Sequence, residues 1–572
     1  MNLRLQPCLL AVTLAVLTAP SANAVTPTQL NELTDSGLDG LLARQLPWGG
    51  FDDPLAGPRF NYGAVALGWL AAERAAPGPP GDPRRRAADA SLQAATRVAA
   101  PGAFQIWMEA LALQQRSASQ LAPASRAALA EHLQAFTEPT TGAAAAACAA
   151  DPRCYNNLKL VDAVAMLELA RAGIRSARPT ASVQRTQRIL TQVIPRVQRP
   201  ELRLRAGAIA VDDAAILSDP ARNPLAYHAL SCAMVMRAIR LLDVVPAATR
   251  QAARRALWAL IALADPLGDV TWMGRGTRLV WTYGASVYAG LAGAAEFGAD
   301  DPALAARLRR LAELAFAELR SRLGPAGLAL GPGPRRTLAG LDHSADTIVY
   351  NGLALTFLQL AIGEADAAAG STAPLPAEVP GARMLDPNAA GVAAIRSGRV
   401  WFAVHRAATH PRDARYDAGL VAAMIRDRGR WRPLLVQRPN THGAPKSPSS
   451  GPLLVIGART LVPSGVLDVS AGAITLTGAW RGGGLTVRAR WRFDATPDGV
   501  RLRTPCPRGA RLVLVEWVPA DRPQAVAVRF DVAARMRSVR GAWASAAFER
   551  LRALRLESRC TGRPVTVKWR EG

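Results

Sequence analysis

The sequence predicts a helical half followed by an antiparallel β half, and three observations carry that expectation. From about residue 25 to 365, apolar residues recur at helical spacing, with Ala and Leu dominant. Residues 366–390 turn to Gly, Ala, Ser and Pro with little periodicity, as a linker does. From 391 to 572 the pattern is one of short alternating runs separated by turn sequences such as Pro497-Asp498-Gly499, which reads as antiparallel strands building a sandwich.

In chain order, the first 24 residues read as a secretory signal. Arg4 provides the positive start, Leu9 to Leu17 a short apolar run, and Ala22-Asn23-Ala24 a small-residue cleavage site. The run is too short to span a membrane, and no later apolar stretch is long enough. A secreted or periplasmic location follows as the expectation. The segment 158–172 then places Leu160, Val161, Val164 and Leu167 on one helical face and stops at Gly173. A longer helix begins behind Asn223 and Pro224, a cap and first-turn pair, and stops at Pro246. Periodic segments at 249–264, 303–321 and 345–362 continue the series. In the β half, Val400–Val404, Leu485–Trp491, Gly499–Arg503 and Leu512–Val515 are the clearest strands.

The formal net charge of +25 comes almost wholly from arginine, since Lys159, Lys446 and Lys568 are the lysines. Such a balance favours a polyanionic partner, and for an exported protein an acidic polysaccharide over nucleic acid. Cys148–Cys154 and Cys506–Cys560 are candidate disulfides in an oxidising compartment, with Cys232 as a buried thiol, although spacing leaves the connectivity open. The sequence has no H-E-x-x-H, no paired C-x-x-C, no P-loop and no G-x-S-x-G elbow, so no metal or organic cofactor is expected.

Polar and aromatic residues instead gather at helix starts. Asn157 heads one helix, and Tyr227 and His228 open another. Trp272, Arg275, Trp281 and Tyr283 lie in a Gly-rich stretch before a third, and His343 precedes a fourth that carries Tyr350 and Asn351. If the helices form a ring of hairpins, these starts converge on one end, where free N–H groups and helix dipoles favour an anion.

This layout resembles the polysaccharide lyases of the heparinase II/III-like and alginate-lyase type, and more distantly the chondroitin AC-type lyases. The resemblance implies an incomplete (α/α) toroid followed by an antiparallel β-sandwich, and cleavage of a uronic-acid-containing polysaccharide by β-elimination without a cofactor. It assigns catalysis to His228 and Tyr283, which stand 55 positions apart and are expected to face each other across one cleft. Tyr227 occupies the place of the Asn that often precedes the family histidine, so Asn157 is the candidate amide that neutralises the substrate carboxylate. No His lies shortly before Tyr283; Gly274 and Arg275 stand there, and Arg275 is the candidate cation beside the phenol, whose free pKa is about 10. Tyr227, Trp272, Trp281, His343, Tyr350 and Asn351 are assigned to substrate binding. In the β half, Arg399–Val404, Asp413–Asp417, Trp431 and Gln437–Asn440 resemble stretches of the same proteins, with His405 or His442 as possible contributors to the cleft.

Two other readings fit the same residues. A glycoside hydrolase would need two opposed carboxylates, for which Glu109 and the Asp212-Asp213 pair are the candidates. A non-catalytic glycan-binding envelope protein would keep the fold and dispense with the chemistry.

Overall fold

The computed structural model describes residues 24–54, 56–75, 81–135, 156–174, 184, 187–188, 214–217, 225–276, 278–322, 346–385, 391–409, 414–435, 438, 451–470, 472–520, 528–544 and 550–570. The expected signal stretch up to residue 23, and the candidates Cys148, Cys154, Asp212, Asp213, His343 and His442, lie outside these residues.

A helix-rich N-terminal part is followed by an antiparallel β region. The helices are α1 (Pro27–Leu42), α2 (Tyr62–Arg74), α3 (Pro83–Ala95), α4 (Ala103–Ala112), α5 (Gln115–Gln120), α6 (Pro123–Gln134), α7 (Asn156–Arg171), α8 (Leu225–Leu241), α9 (Ala247–Leu263), α10 (Val280–Phe297), α11 (Pro302–Arg322) and α12 (Thr347–Ile362). Local chemistry sets many of their starts. Thr26 and Gln29 form a capping box at α1, Asn61 accepts from Gly63 and Ala64 at α2, and Asp346 accepts from Val349 at α12.

Six of the described helices pack in sequence: α2 on α4, α4 on α7, α7 on α8, α8 on α10, α10 on α12, and α12 back on α2. The helices α1, α3, α9 and α11 lie against this ring from outside. Burial separates the two layers. In α2, α4, α10 and α12 nearly every side chain is buried, as expected for helices surrounded by others, whereas α11 and α3 alternate buried and exposed positions.

The closure between α12 and α2 is tight enough to require glycine. A Cβ at Gly63 would stand 2.6 Å from the Cα of Val349, and one at Gly352 would stand 3.0 Å from the carbonyl oxygen of Gly63.

A small hairpin that the helical reading did not anticipate, β1 (Phe51–Asp53) with β2 (Gly57–Arg59), interrupts the helices between α1 and α2. Runs of three residues carry too little alternation to be read from sequence.

The β region holds two antiparallel sheets. The first is a meander of β3 (Gly381–Leu385), β4 (Val392–Ser397), β5 (Val400–His405), β6 (Gly419–Asp427) and β7 (Arg430–Pro433). Its first strand falls inside the stretch 366–390 that composition marks as a linker. The second sheet contains β8 (Leu453–Ile456), β9 (Arg459–Ser470), β10 (Ala473–Gly482), β11 (Leu485–Thr496), β12 (Gly499–Thr504), β13 (Arg511–Pro519), β14 (Val528–Phe530), β15 (Ala534–Ala544), β16 (Arg550–Arg559) and β17 (Val565–Arg570). The strand order is β14-β17-β12-β11-β10-β9-β8-β13-β16-β15.

The two sheets share one core. Phe402 and Val404 of β5 bury with Trp480, Trp491 and Phe493 of β10 and β11, and the two Trp rings meet edge to face at 4.9 Å. Cys506 and Cys560 form a disulfide beside this core, with Cα atoms 4.9 Å apart. Cys232 is a buried free thiol.

Helical part and β region meet through a second, smaller apolar cluster and a few polar ties. Trp272 packs edge to face on Trp401, with ring centroids 5.9 Å apart, among Ala377, Ala403 and Met424. Arg310 of α11 forks onto Glu378, with its nitrogens 3.0 and 2.6 Å from the two carboxylate oxygens.

The α2–α12 closure yields a test. Replacing Gly63 by Val forces the two backbones apart, and is expected to lower unfolding stability by about 1–3 kcal/mol. Chemical denaturation of the purified protein measures this loss, and an unchanged midpoint would show that the helices close by some other contact.

Candidate active site

At one end of the ring the starts of all six helices surround a cavity of ≈ 520 Å³. Asn61 and Tyr62 come from α2, Phe104 from α4, Asn157 from α7, Tyr227 from α8, Trp281 from α10, and Asp346 and Tyr350 from α12. Arg59 of β2 and Arg275 of the loop before α10 complete the polar lining. Six N-terminal turns aimed at one space bring their partial positive charges together with two guanidinium groups, an arrangement suited to an anionic ligand.

The acceptor at the centre of this lining is Asp346. Its Oδ2 accepts from Arg59 Nη1 at 2.7 Å and from Asn61 Nδ2 at 2.6 Å, while Oδ1 accepts from the Val349 N–H at 2.9 Å. Burial outweighs these bonds and pushes its carboxyl up to about 6, with nearby Asp53 adding to the rise. Asp53 in turn accepts from the Ile348 N–H at 2.8 Å, which ties hairpin β1–β2 to the same helix start.

Arg275 reaches the cavity from a constrained loop. Asp265 and Asp269 organise it by accepting from the backbone N–H groups of Leu267, Asp269 and Thr271. Gly276 has a positive φ of 81°, and a Cβ there would lie 2.8 Å from Ala226 of α8, so the loop rests directly on that helix. The β region holds it from the other side: Gly274 N–H donates to the Arg415 carbonyl at 3.1 Å, and Arg275 N–H donates to Tyr416 Oη at 2.9 Å.

The Arg275 guanidinium sits 4.7 Å from the centre of the Tyr227 ring, which meets Trp281 edge to face at 5.5 Å. Across the cavity Tyr62 stacks on Phe104 at 4.8 Å. Burial, with smaller contributions from Tyr227 and Asp346, pushes the Tyr62 phenol well above its ordinary range, so it stays protonated.

Of the residues singled out in the sequence, Asn157, Tyr227, Arg275, Trp281 and Tyr350 therefore meet in one cavity, and others do not. His228 is buried on a different face of α8. Its Nδ1 accepts from the Leu217 N–H at 3.0 Å and its Nε2 donates to the Ala256 carbonyl at 3.1 Å, a pairing that fixes the ring between the 214–217 segment and α9. Burial drops its pKa to about 4.

Tyr283 is also buried and absent from the cavity lining. Its ring lies under the Arg322 guanidinium at 4.9 Å, and its hydroxyl has no hydrogen-bond partner among the described residues. Burial, then Asp269, raises its pKa well above the usual value despite Arg322 and Arg278. Neither member of the expected pair, His228 and Tyr283, is part of this cavity's lining.

Trp272 is committed to the contact with Trp401, its indole N–H donating to the Leu263 carbonyl at 2.8 Å. The Asn351 amide donates to Thr347 within its own helix, and Asn351 is not part of the lining. His405 is buried in the β region against the Asp417 carbonyl at 2.9 Å, while Tyr416, from the same quoted stretch, reaches the site loop instead. Glu109, buried with Gln105, lies outside the lining too, where Asp346 is the carboxylate among the described residues. No three His, Cys, Asp or Glu side chains come together to hold a metal ion among the described residues.

Arg59, Asn61, Tyr62, Phe104 and Asp346 were missed by sequence reasoning. Asn61 and Asp346 carry a readable signal, each being a good cap immediately before an apolar periodic run.

No family model matches the sequence, and no curated protein matches it either. Solved structures match in fold. A chondroitin AC lyase from Streptomyces coelicolor A3, solved in complex with chondroitin sulphate, superposes with a TM-score of 0.51 at 14% identity, covering 96% of this chain and 79% of that one. Heparinase III gives 0.49 at 11% identity, covering 96% and 86%, and a xanthan lyase from Paenibacillus gives 0.49 at 8% identity, covering 95% and 57%. At these identities the likeness is one of fold, an arrangement of helices then antiparallel sheet similar to that of polysaccharide lyases.

The structural role of His228 is testable through pH. An unfolded histidine takes its proton near 6.5, whereas this one resists until about 4, so the unfolded chain binds more protons between those values. Stability contributed by neutral His228 is therefore full above pH 6.5 and is lost as the pH falls towards 4, by about 3 kcal/mol at most. Denaturation curves of His228→Gln are expected to show a smaller drop across this window, together with a loss of about 1–3 kcal/mol at pH 7.5 from the disturbed Leu217 and Ala256 groups. Identical pH profiles for variant and wild type would contradict the assignment.

Proposed function

We propose that this chain is an exported polysaccharide lyase that cleaves a uronic-acid-containing polysaccharide by β-elimination. In this reading residues 1–24 are removed on export, 25–365 form an incomplete (α/α) toroid, 366–390 connect, and 391–572 form a β-sandwich. The observation that carries it is the single cavity in which the Asn157 amide, the Tyr227 phenol and the Arg275 guanidinium meet at the ends of six helices. The likeness in fold to the chondroitin AC lyase supports the same class.

The chemistry fits these side chains. The C5 proton of a uronate is weakly acidic, and its removal needs the neighbouring carboxylate neutralised so that negative charge can spread into it. Asn157 supplies amide donors and Arg275 a cation for that carboxylate. Tyr227 is assigned to take the C5 proton as a phenolate, with the Arg275 charge over its ring favouring the anion. The electron pair forms the C4–C5 double bond, the C4–O bond breaks, and the departing oxygen receives a proton from Tyr62, which burial keeps protonated. Trp281, Phe104 and Tyr350 provide the flat and apolar walls that sugar rings pack against.

The test is to offer the protein a panel of acidic polysaccharides and follow the ultraviolet absorbance of an unsaturated uronate. Tyr227→Phe is expected to lower turnover by about 10²–10⁴-fold, because the ring still packs but the proton-transfer oxygen is gone. Tyr283→Phe removes a buried hydroxyl that is not part of the cavity lining, and is expected to leave turnover unchanged. Absorbance that never rises on any polymer, with binding intact, would favour a glycan-binding protein on a lyase-like fold.

A further inference from the structure

The outer face of the large sheet carries a concentration of positive charge that the cavity does not explain. On β11 burial alternates strictly from Thr486 to Trp491: the odd positions turn towards the core, and Arg488, Arg490 and Arg492 are exposed on the other face. The register extends this row sideways. Arg492 stands opposite Arg503 and Asp494 opposite Arg501 on β12; Arg501 stands opposite Lys568 on β17, and Lys568 opposite Arg529 on β14. Directly paired residues of antiparallel strands share a face, so these seven cations form one track.

The track is poorly neutralised. Asp494 lies within it and serves three of the arginines, at 2.7 Å from Arg492, 3.3 Å from Arg501 and 3.9 Å from Arg503. Other described carboxylates border it: Asp468 on β9, Asp498 in the β11–β12 turn and Asp531 beyond β14. Arg481 and Arg570 flank it as further cations. Several arginines of the helical part are matched to acids, as in Arg240 with Glu296 and Glu364, Arg254 with Asp301, and Arg310 with Glu378. A chain merely rich in arginine does not need to gather seven cations around one carboxylate in a single track.

We propose that this face is a second, non-catalytic binding surface for a linear polyanionic polysaccharide. The identification of the polymer class rests on the function proposed above, but the surface is independent of the cavity chemistry. With strands about 4.8 Å apart and alternate residues about 6.8 Å apart along a strand, the track runs about 25 Å from Arg488 to Arg529. That length suits a polymer with a repeating negative charge better than a small anion. Six of the seven cations are arginines, whose planar forks pair with carboxylate or sulfate through two hydrogen bonds. Among the described residues, Val466 on β9, opposite Thr477 and so on the face of Arg490, is the exposed large apolar side chain paired into this face, and one short side chain gives a lipid layer little to take up, so a glycan is favoured over a membrane. Holding the polymer there would keep successive stretches of it near the protein between cleavage events.

The experiment uses the full-length protein and the triple variant Arg488→Gln, Arg490→Gln, Lys568→Gln, all at exposed positions outside the cavity lining. Binding is measured against immobilised heparin and alginate over a range of salt, and against anionic phosphatidylglycerol vesicles. The variant is expected to bind the polysaccharides about tenfold more weakly at moderate salt and with a shallower salt dependence, in proportion to the cations removed. Its turnover of a short uronate oligosaccharide should match the wild type. Equal salt dependence and affinity for variant and wild type would overturn the surface, as would wild-type protein that binds vesicles but neither polysaccharide. Loss of binding in the variant, with no unsaturated product from either protein, would support the surface while sinking the lyase reading.

Discussion

The first and last helices of the ring are held together by one buried carboxylate. Asp346 caps α12 through the Val349 N–H, and its other oxygen takes hydrogen bonds from Asn61, which itself caps α2, and from Arg59 of the β1–β2 hairpin. A group in this position is expensive to bury, and its raised pKa records that cost. The arrangement persists because one cap bond, a cation and a neutral amide meet the same carboxylate, and because Gly63 and Gly352 let the two backbones touch. Loosening this closure would open the cavity on the side where Arg59, Asn61 and Tyr62 stand.

The cavity is polar at a place where a ring of apolar helices has its unsatisfied N–H groups. Each helix contributes its first turn, so the functional side chains are attached to rigid elements and their distances depend on helix packing. The exception is Arg275, carried on a loop, and it is held from two sides: by Ala226 of α8 under Gly276, and by Arg415 and Tyr416 of the β region. The β region thus contributes to the site by positioning a backbone. Its contact through Trp272 and Trp401 keeps that loop in place, which accounts for an aromatic pair where a sugar platform was expected.

The two faces of the β region divide its work. The inner face buries Trp480, Trp491 and Phe493 against the meander sheet, while the outer face presents the arginines of β11 and β12. Since side chains alternate along a strand, a single sequence such as Arg490-Trp491-Arg492-Phe493 supplies both core and charge.

Much of the molecule was legible as sequence because the signals are local. Apolar spacing separates helices from strands, caps and glycines mark where helices begin and end, and a cluster of polar residues at helix starts pointed to one end of the helical part. Asn157, Tyr227, Arg275, Trp281 and Tyr350 were found in this way. What sequence spacing could not decide was which way each helix faces. Tyr227 and His228 are adjacent, yet about 100° of helical rotation sends the first into the cavity and the second against α9. The same ambiguity hid the burial of Tyr283 under Arg322, and the role of Asp346, whose partners Asn61 and Arg59 lie nearly three hundred residues earlier. Helix existence is set by neighbours in the chain, but helix rotation and ring closure are set by neighbours in space, and those exist only once the chain has folded.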